Sequence, residues 1–165
     1  MTNNVRKIVI SLGKILMDRD LMVGTAESCT GGGIASTLTS VPGSSHWFDR
    51  GFVTYSNQSK IDCLGVESSV LDKFGAVSSD VVLQMVKGGI ARSDASVFIA
   101  VSGIAGPGGG TKEKPVGTVF IGWGYLNVRG NIKTRVKKYI FEGDRAEIRS
   151  KAVFAAIEGV QAILI

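Results

Sequence analysis

Two glycine-rich segments hold most of the residues able to do chemistry: Gly24-Thr-Ala-Glu-Ser-Cys-Thr-Gly-Gly-Gly33 and Ser102-Gly-Ile-Ala-Gly-Pro-Gly-Gly-Gly-Thr111. Each follows an apolar run. In open α/β sheets, ligands bind beyond the carboxyl ends of the strands, and glycine lets main-chain N–H groups approach an anion or a developing oxyanion. One such loop reads as a tight turn; two, each behind a strand, read as a site. Ser28 falls between a buried strand and a helix start, where the positive end of the helix dipole favours an oxyanion. Position alone favours the simpler role of helix cap. As a nucleophile, Ser28 needs a base. His46 is the single histidine, and it lies in a loop, where a surface role is the ordinary one. Ser11-Leu-Gly-Lys14 matches S-x-x-K, but Lys14 points away from the apolar stripe of its helix. Tyr55-Ser-Asn-Gln-Ser-Lys60, at the end of a strand, is better placed. A phenol and an amine there can relay the serine proton and return one to a leaving group, although the segment taken alone reads as a polar turn. Cys29, beside Ser28, is a second candidate nucleophile, since thiols at helix N-termini can be reactive; adjacent residues point different ways, so only one of the two can face the base.

Familiar nucleotide motifs do not fit. Gly106-Pro-Gly-Gly-Gly-Thr-Lys112 has the wrong order for a P-loop. Neither segment matches GxGxxG, and Ala26-Glu-Ser-Cys-Thr30 lacks the flanking glycines of a hydrolase nucleophile elbow.

The elements that must position these residues follow from periodicity. Val5, Ile8, Val9, Leu12, Ile15 and Leu16 make one stripe of a first helix. Residues 21–25 predict a short buried strand. A helix runs from Gly31-Gly-Gly33 through Ile34 and Leu38 until Pro42-Gly43 stops it. A strand near 51–55 precedes a turn or helix at 57–64. Ser78-Ser79-Asp80 caps a helix burying Val82, Met85, Val86 and Ile90. Val97-Phe-Ile-Ala-Val101 is apolar throughout, as a central strand covered on both faces must be. Strands near 117–125 and 132–141 predict an antiparallel hairpin. Asp144 and Glu147 form a capping box for a last helix burying Val153, Ile157, Val160 and Leu164. The interleaving predicts a single domain over residues 1–165, an α/β three-layer α/β/α sandwich with a mixed, mostly parallel five-stranded sheet and one reversed strand.

Bulk properties narrow the function classes. A chain of 165 residues with 44% hydrophobic residues supports one packed core region. Its net charge of +5 favours anionic ligands. The densest basic stretch, Lys133-Thr-Arg135-Val-Lys137-Lys138, alternates with apolar residues like a half-exposed strand, so no nucleic-acid partner is expected. Two cysteines and one histidine supply neither a disulfide framework nor a structural zinc, and no metal or cofactor is expected. No signal peptide and no membrane-spanning run is legible. The expectation is a cytoplasmic protein, homodimeric by default.

The motifs Thr25-Ala-Glu-Ser-Cys-Thr-Gly-Gly32, Pro42-Gly-Ser-Ser45, Arg50-Gly-Phe-Val-Thr-Tyr-Ser-Asn57, Lys60, Gly75-Ala-Val-Ser78, Ser102-Gly-Ile-Ala-Gly-Pro107, Lys114-Pro-Val-Gly-Thr-Val119 and Gly143-Asp-Arg145 occur in one order. In them the chain resembles the CinA C-terminal domain family from about Ile8 through the final helix. Stand-alone members of that family include nicotinamide-mononucleotide amidases. The resemblance implies hydrolysis of the nicotinamide carboxamide to nicotinic acid mononucleotide and ammonia. It further implies a serine nucleophile, Ser28, assisted by Lys60 and Tyr55, with no role for His46. Amides near Thr30, Gly31 and Gly32 are the expected oxyanion donors. Those of Ser102, Gly103 and Gly106, with Arg145, are the expected contacts for phosphate and ribose; Arg145 reads equally as a helix-start residue beside Asp144. In many CinA proteins a larger nucleotide-processing domain precedes this one, so here the amidase is expected to act alone. The rival readings are a non-catalytic nucleotide-binding module and a competence- or damage-related accessory protein.

Overall fold

The computed structural model describes residues 3–164. Its elements, in chain order, are α1 (Asn3–Asp18), β1 (Val23–Glu27), α2 (Gly33–Leu38), a 3-10 turn (Ser44–His46), β2 (Phe48–Val53) and α3 (Asn57–Leu64). They continue with α4 (Ser68–Phe74), α5 (Ser79–Ala91), β3 (Val97–Gly103), β4 (Thr118–Leu126), β5 (Ile132–Ile140), α6 (Arg145–Glu158) and α7 (Gln161–Leu164). The sheet order is β2-β1-β3-β4-β5. β1 runs parallel to β2 and β3, β4 is antiparallel to β3, and β5 is antiparallel to β4, so four strands share a direction and β4 is reversed.

Strand alternation builds the two faces. On β3, Val97, Ile99 and Val101 enter one core with α1, α2, α6 and α7, while Phe98 and Ala100 enter the other with α3, α4 and α5. The apolar run of β3 is therefore a strand covered on both sides, and the molecule is the expected three-layer α/β/α sandwich. β5 lies at the sheet edge with its lysines and Arg135 exposed, where charged side chains discourage further strand pairing.

Local chemistry sets the helix starts. Ser78 accepts from the Val81 amide at 3.3 Å. Asp144 accepts from the Glu147 amide at 2.9 Å, while Glu147 accepts from the Asp144 amide at 2.8 Å, completing the capping box. Three expectations shift. Strands β1 and β2 lie about two residues from their expected positions. The short helix α4, burying little beyond Leu71, leaves no legible stripe. The single last helix is instead two, α6 ending before Gly159 and α7 beginning at Gln161. Gly159 lies so close to the Trp123 indole that a side chain there would collide, and the indole Nε1 donates to Ala156 O at 2.7 Å. Val153 is only half-buried, whereas Ile157, Val160 and Leu164 are buried as expected.

Candidate active site

Three parallel strands deliver their carboxyl ends to one place. The Ser28 amide donates to Val101 O at 3.0 Å, extending the β1–β3 ladder by one residue, and the Thr54 amide donates to Glu27 O at 2.8 Å on the β2 side. Ser28 and Cys29 therefore sit level with Thr54 and with Ser102 at the end of β3. A cavity of about 290 Å³ opens there, lined by Ser28, Cys29, Tyr55, Lys60, Ser102, Gly103, Gly106 and Arg145 among others. Ala76, Val77 and Ile104 also belong to its wall. Sequence reasoning passed over these three because small or apolar residues carry no chemical signal. Among the described residues, no aspartate or glutamate lines the cavity.

Lys60 enters from α3, a helix capped by Ser56, whose side chain accepts from the Ser59 amide at 3.1 Å. The side chain is 1% exposed. Its amine donates to Ser28 Oγ at 3.3 Å, to Thr54 O at 2.9 Å, to Tyr55 O at 3.3 Å and to Ser56 O at 3.5 Å. Burial pushes this amine below the ordinary lysine range, with a small opposing contribution from Cys29. Burial also pushes the Cys29 thiol up, to about 11, against weaker lowering by its own backbone.

Tyr55 takes a different place from the one its motif suggests. It meets Lys60 through its main-chain carbonyl, while its phenol is 58% exposed and accepts from Arg145 Nη2 at 3.0 Å. Arg145, the first residue of α6, also donates from Nη1 to Gly106 O at 2.8 Å. Tyr55 and Arg145 thus join the two rims of the cavity mouth. Ser102 is buried in the wall, its hydroxyl donating to Ala76 O at 2.7 Å.

Thr30, Gly31 and Gly32 are not brought to the cavity. The Gly31 amide donates to Ser28 O at 3.0 Å, and the Gly32 amide donates to Glu27 Oε2 at 3.1 Å. The Thr30 hydroxyl donates to the same carboxylate at 2.6 Å. Left-handed φ values of 59° and 93° at Gly31 and Gly32 let the chain fold back over that carboxylate. Glu27 belongs to the quoted motif, yet its role was missed; an acidic residue closing an otherwise apolar strand was the available signal. His46 lies exposed just before β2, at the opposite end of that strand from the cavity. Among the described residues, no group of three or more His, Cys, Asp or Glu side chains is arranged to hold a metal ion, and no helix is long and apolar enough to cross a membrane.

Fold and cleft together define a three-layer α/β/α domain with a serine and a buried lysine at the carboxyl ends of parallel strands. The chain belongs to the CinA C-terminal domain family, matching it over residues 5–164. It is 46% identical over 156 residues to the nicotinamide-nucleotide amidohydrolase PncC of Pseudomonas putida, a match covering 94% of each chain. A PncC of Enterobacter agglomerans is 45% identical over 154 residues, covering 93% of this chain and 92% of that one. A CinA-like protein of Akkermansia muciniphila is 48% identical over 145 residues, covering 88% of this chain but 34% of the relative. Among solved structures, the competence/damage inducible protein CihA of Agrobacterium tumefaciens superposes with a TM-score of 0.92 at 42% identity, covering 100% of this chain and 98% of that one.

Proposed function

We propose that this protein is a nicotinamide-nucleotide amidase that works through a Ser28 acyl-enzyme, with Lys60 as the direct base. The observation that carries the reading is the contact between a buried, charge-disfavouring amine and a serine hydroxyl, Lys60 Nζ to Ser28 Oγ at 3.3 Å. Similarity to amidohydrolases along nearly the whole chain supports the substrate class.

In this cycle neutral Lys60 takes the proton of Ser28 as Oγ attacks the carboxamide carbon. The resulting ammonium is received by the carbonyls of Thr54 and Tyr55, which already face it. It then passes that proton to the nitrogen of the tetrahedral intermediate as the C–N bond breaks and ammonia leaves, and water resolves the ester with Lys60 again as base. The amide of Cys29 directly follows the nucleophile along the cavity wall, which suits it to the oxyanion better than those of Gly31 and Gly32, which are already engaged. Tyr55 and Arg145 act at the mouth, where the guanidinium and the amides of the 103–109 loop meet the phosphate and ribose. The test is ammonia release from nicotinamide mononucleotide by the purified protein, with trapping of an acyl-enzyme on Ser28 by mass spectrometry. Turnover without any Ser28 adduct would remove the covalent step.

A further inference from the structure

Glu27 has no place in the cycle above, yet it is fully buried. Its carboxylate accepts four hydrogen bonds: from the Thr30 hydroxyl at 2.6 Å, the Gly32 amide at 3.1 Å, the Ile34 amide at 3.0 Å and the Ala35 amide at 2.8 Å. No lysine or arginine pairs with it among the described residues. An unpaired buried carboxylate is costly unless donors are supplied to it, and here three donors converge on Oε2 and one reaches Oε1. The first amides of α2 would be satisfied more cheaply by a serine or aspartate at the helix cap. The cap instead is Gly32, with no side chain to offer, and the carboxylate arrives from the residue immediately before Ser28.

This arrangement straps the end of β1 to the start of α2 and encloses Ser28 between them. The strap reaches the base as well. Glu27 O accepts from the Thr54 amide, Thr54 O accepts from Lys60 Nζ, and Lys60 Nζ donates to Ser28 Oγ. The two reacting atoms are thus tied to one residue, by its side chain on one path and its main chain on the other.

We propose that the Glu27 carboxylate and the Thr30 hydroxyl are positioning residues that fix the Ser28 hydroxyl against Lys60. The inference rests on the serine–lysine reading and assigns Thr30 to the strap rather than to substrate. A displacement of about 1 Å at a reacting atom can cost on the order of 100-fold in rate, so the strap acts on the chemical step.

The test uses Thr30→Val, which keeps the shape and removes the hydroxyl, Thr30→Ser, which restores it, and Glu27→Gln. Each is assayed for kcat and KM on nicotinamide mononucleotide, for the rate of Ser28 labelling by a fluorophosphonate in the absence of substrate, and for thermal unfolding. We expect Thr30→Val to lower kcat and the labelling rate together by about tenfold, with KM within roughly twofold. Thr30→Ser recovers most of both, and Glu27→Gln loses more than Thr30→Val. A folded Thr30→Val enzyme with unchanged kcat and labelling overturns the proposal, as does a rise in KM alone, which would return Thr30 to substrate binding. If Glu27→Gln does not fold, the threonine pair still decides. Failure of the amidase reading itself looks different: the wild type is then labelled at Ser28 without turnover, and the comparison of labelling rates stands. A wild type that resists labelling removes the nucleophile and the strap's purpose with it.

Discussion

Lys60 is a lysine held almost wholly out of water. Burial disfavours its ammonium, and the proposed base is its neutral amine. The activity sign follows: kcat/KM should rise with pH as Lys60 loses its proton, on a limb lying below the ordinary lysine range. Lys60→Ala should remove that limb and lower kcat by ~100-fold or more; a pH–rate profile of both proteins checks this, and an unchanged acid limb in Lys60→Ala would assign it to another group. The same shift links to stability. Between the lowered folded value and the ordinary unfolded one, the unfolded chain binds more protons, so stability rises with pH across that window. Cys29 behaves oppositely. With its thiol pushed up to about 11, it is a protonated, buried side chain at neutral pH and a poor nucleophile. Ser28→Ala should therefore abolish turnover while Cys29→Ala retains most of it. Turnover by Ser28→Ala that stops on thiol alkylation would reverse the assignment.

At the scale of elements, α6 begins at the cavity mouth and places a cation there. Its capping box fixes the first turn, and Arg145 at that turn bridges Gly106 O and the Tyr55 phenol. Asp144→Ala should cost about 1 kcal/mol of stability and raise KM more than it lowers kcat, because it loosens Arg145, the proposed phosphate contact, and leaves Ser28 and Lys60 in place. Calorimetry and steady-state kinetics measure the two effects, and a loss confined to kcat would move Arg145 into the chemical step. This helix was legible in the sequence because capping is local chemistry, as it was for α5 behind Ser78. The apolar run of β3 was legible because a strand buried on both faces leaves no polar alternation. The close packing of Gly159 on Trp123 was not, since it depends on where a distant strand lands. The pairing of Ser28 with Lys60 had the same difficulty. The two are 32 residues apart, and only the parallel neighbouring of β1 and β2 brings them together. Family motifs supplied the pair, but not the orientation of Tyr55, whose side chain follows Arg145 rather than Lys60. The amides of Gly31 and Gly32 looked available from sequence because glycine after a strand suggests an anion site. The Gly32 amide instead meets the protein's own Glu27 carboxylate, and the Gly31 amide meets Ser28 O.

For the whole molecule, the placement of charge determines which ligand fits. The net charge is +5, yet the basic strand β5 lies at the sheet edge opposite β2, so bulk charge alone does not mark the site. Within the cavity the charged groups are Lys60 at the floor and Arg145 at the mouth, with no carboxylate in the wall. The proposed step draws its base from Lys60, so activity should survive exhaustive chelation; loss restored by added zinc or magnesium would sink the serine–lysine scheme. The separation of the two cations carries the sharpest expectation. An amide carbon seated at Ser28 leaves the rest of its molecule to extend toward the glycine loop and Arg145. Free nicotinamide has no phosphate to offer, whereas the mononucleotide brings one to a guanidinium whose partners among the described residues are a carbonyl and a phenol. A hydrogen bond to a charged group contributes about 1.5–3 kcal/mol, which is roughly 10- to 100-fold in kcat/KM for one such contact. The mononucleotide should exceed free nicotinamide by at least that factor, and Arg145→Ala should erase most of the difference by raising KM for the mononucleotide while leaving the slow hydrolysis of nicotinamide unchanged. Competing the two amides in one reaction and following each product measures the ratio directly. Equal efficiency on both in the wild type would mean that the phosphate is not held at this mouth.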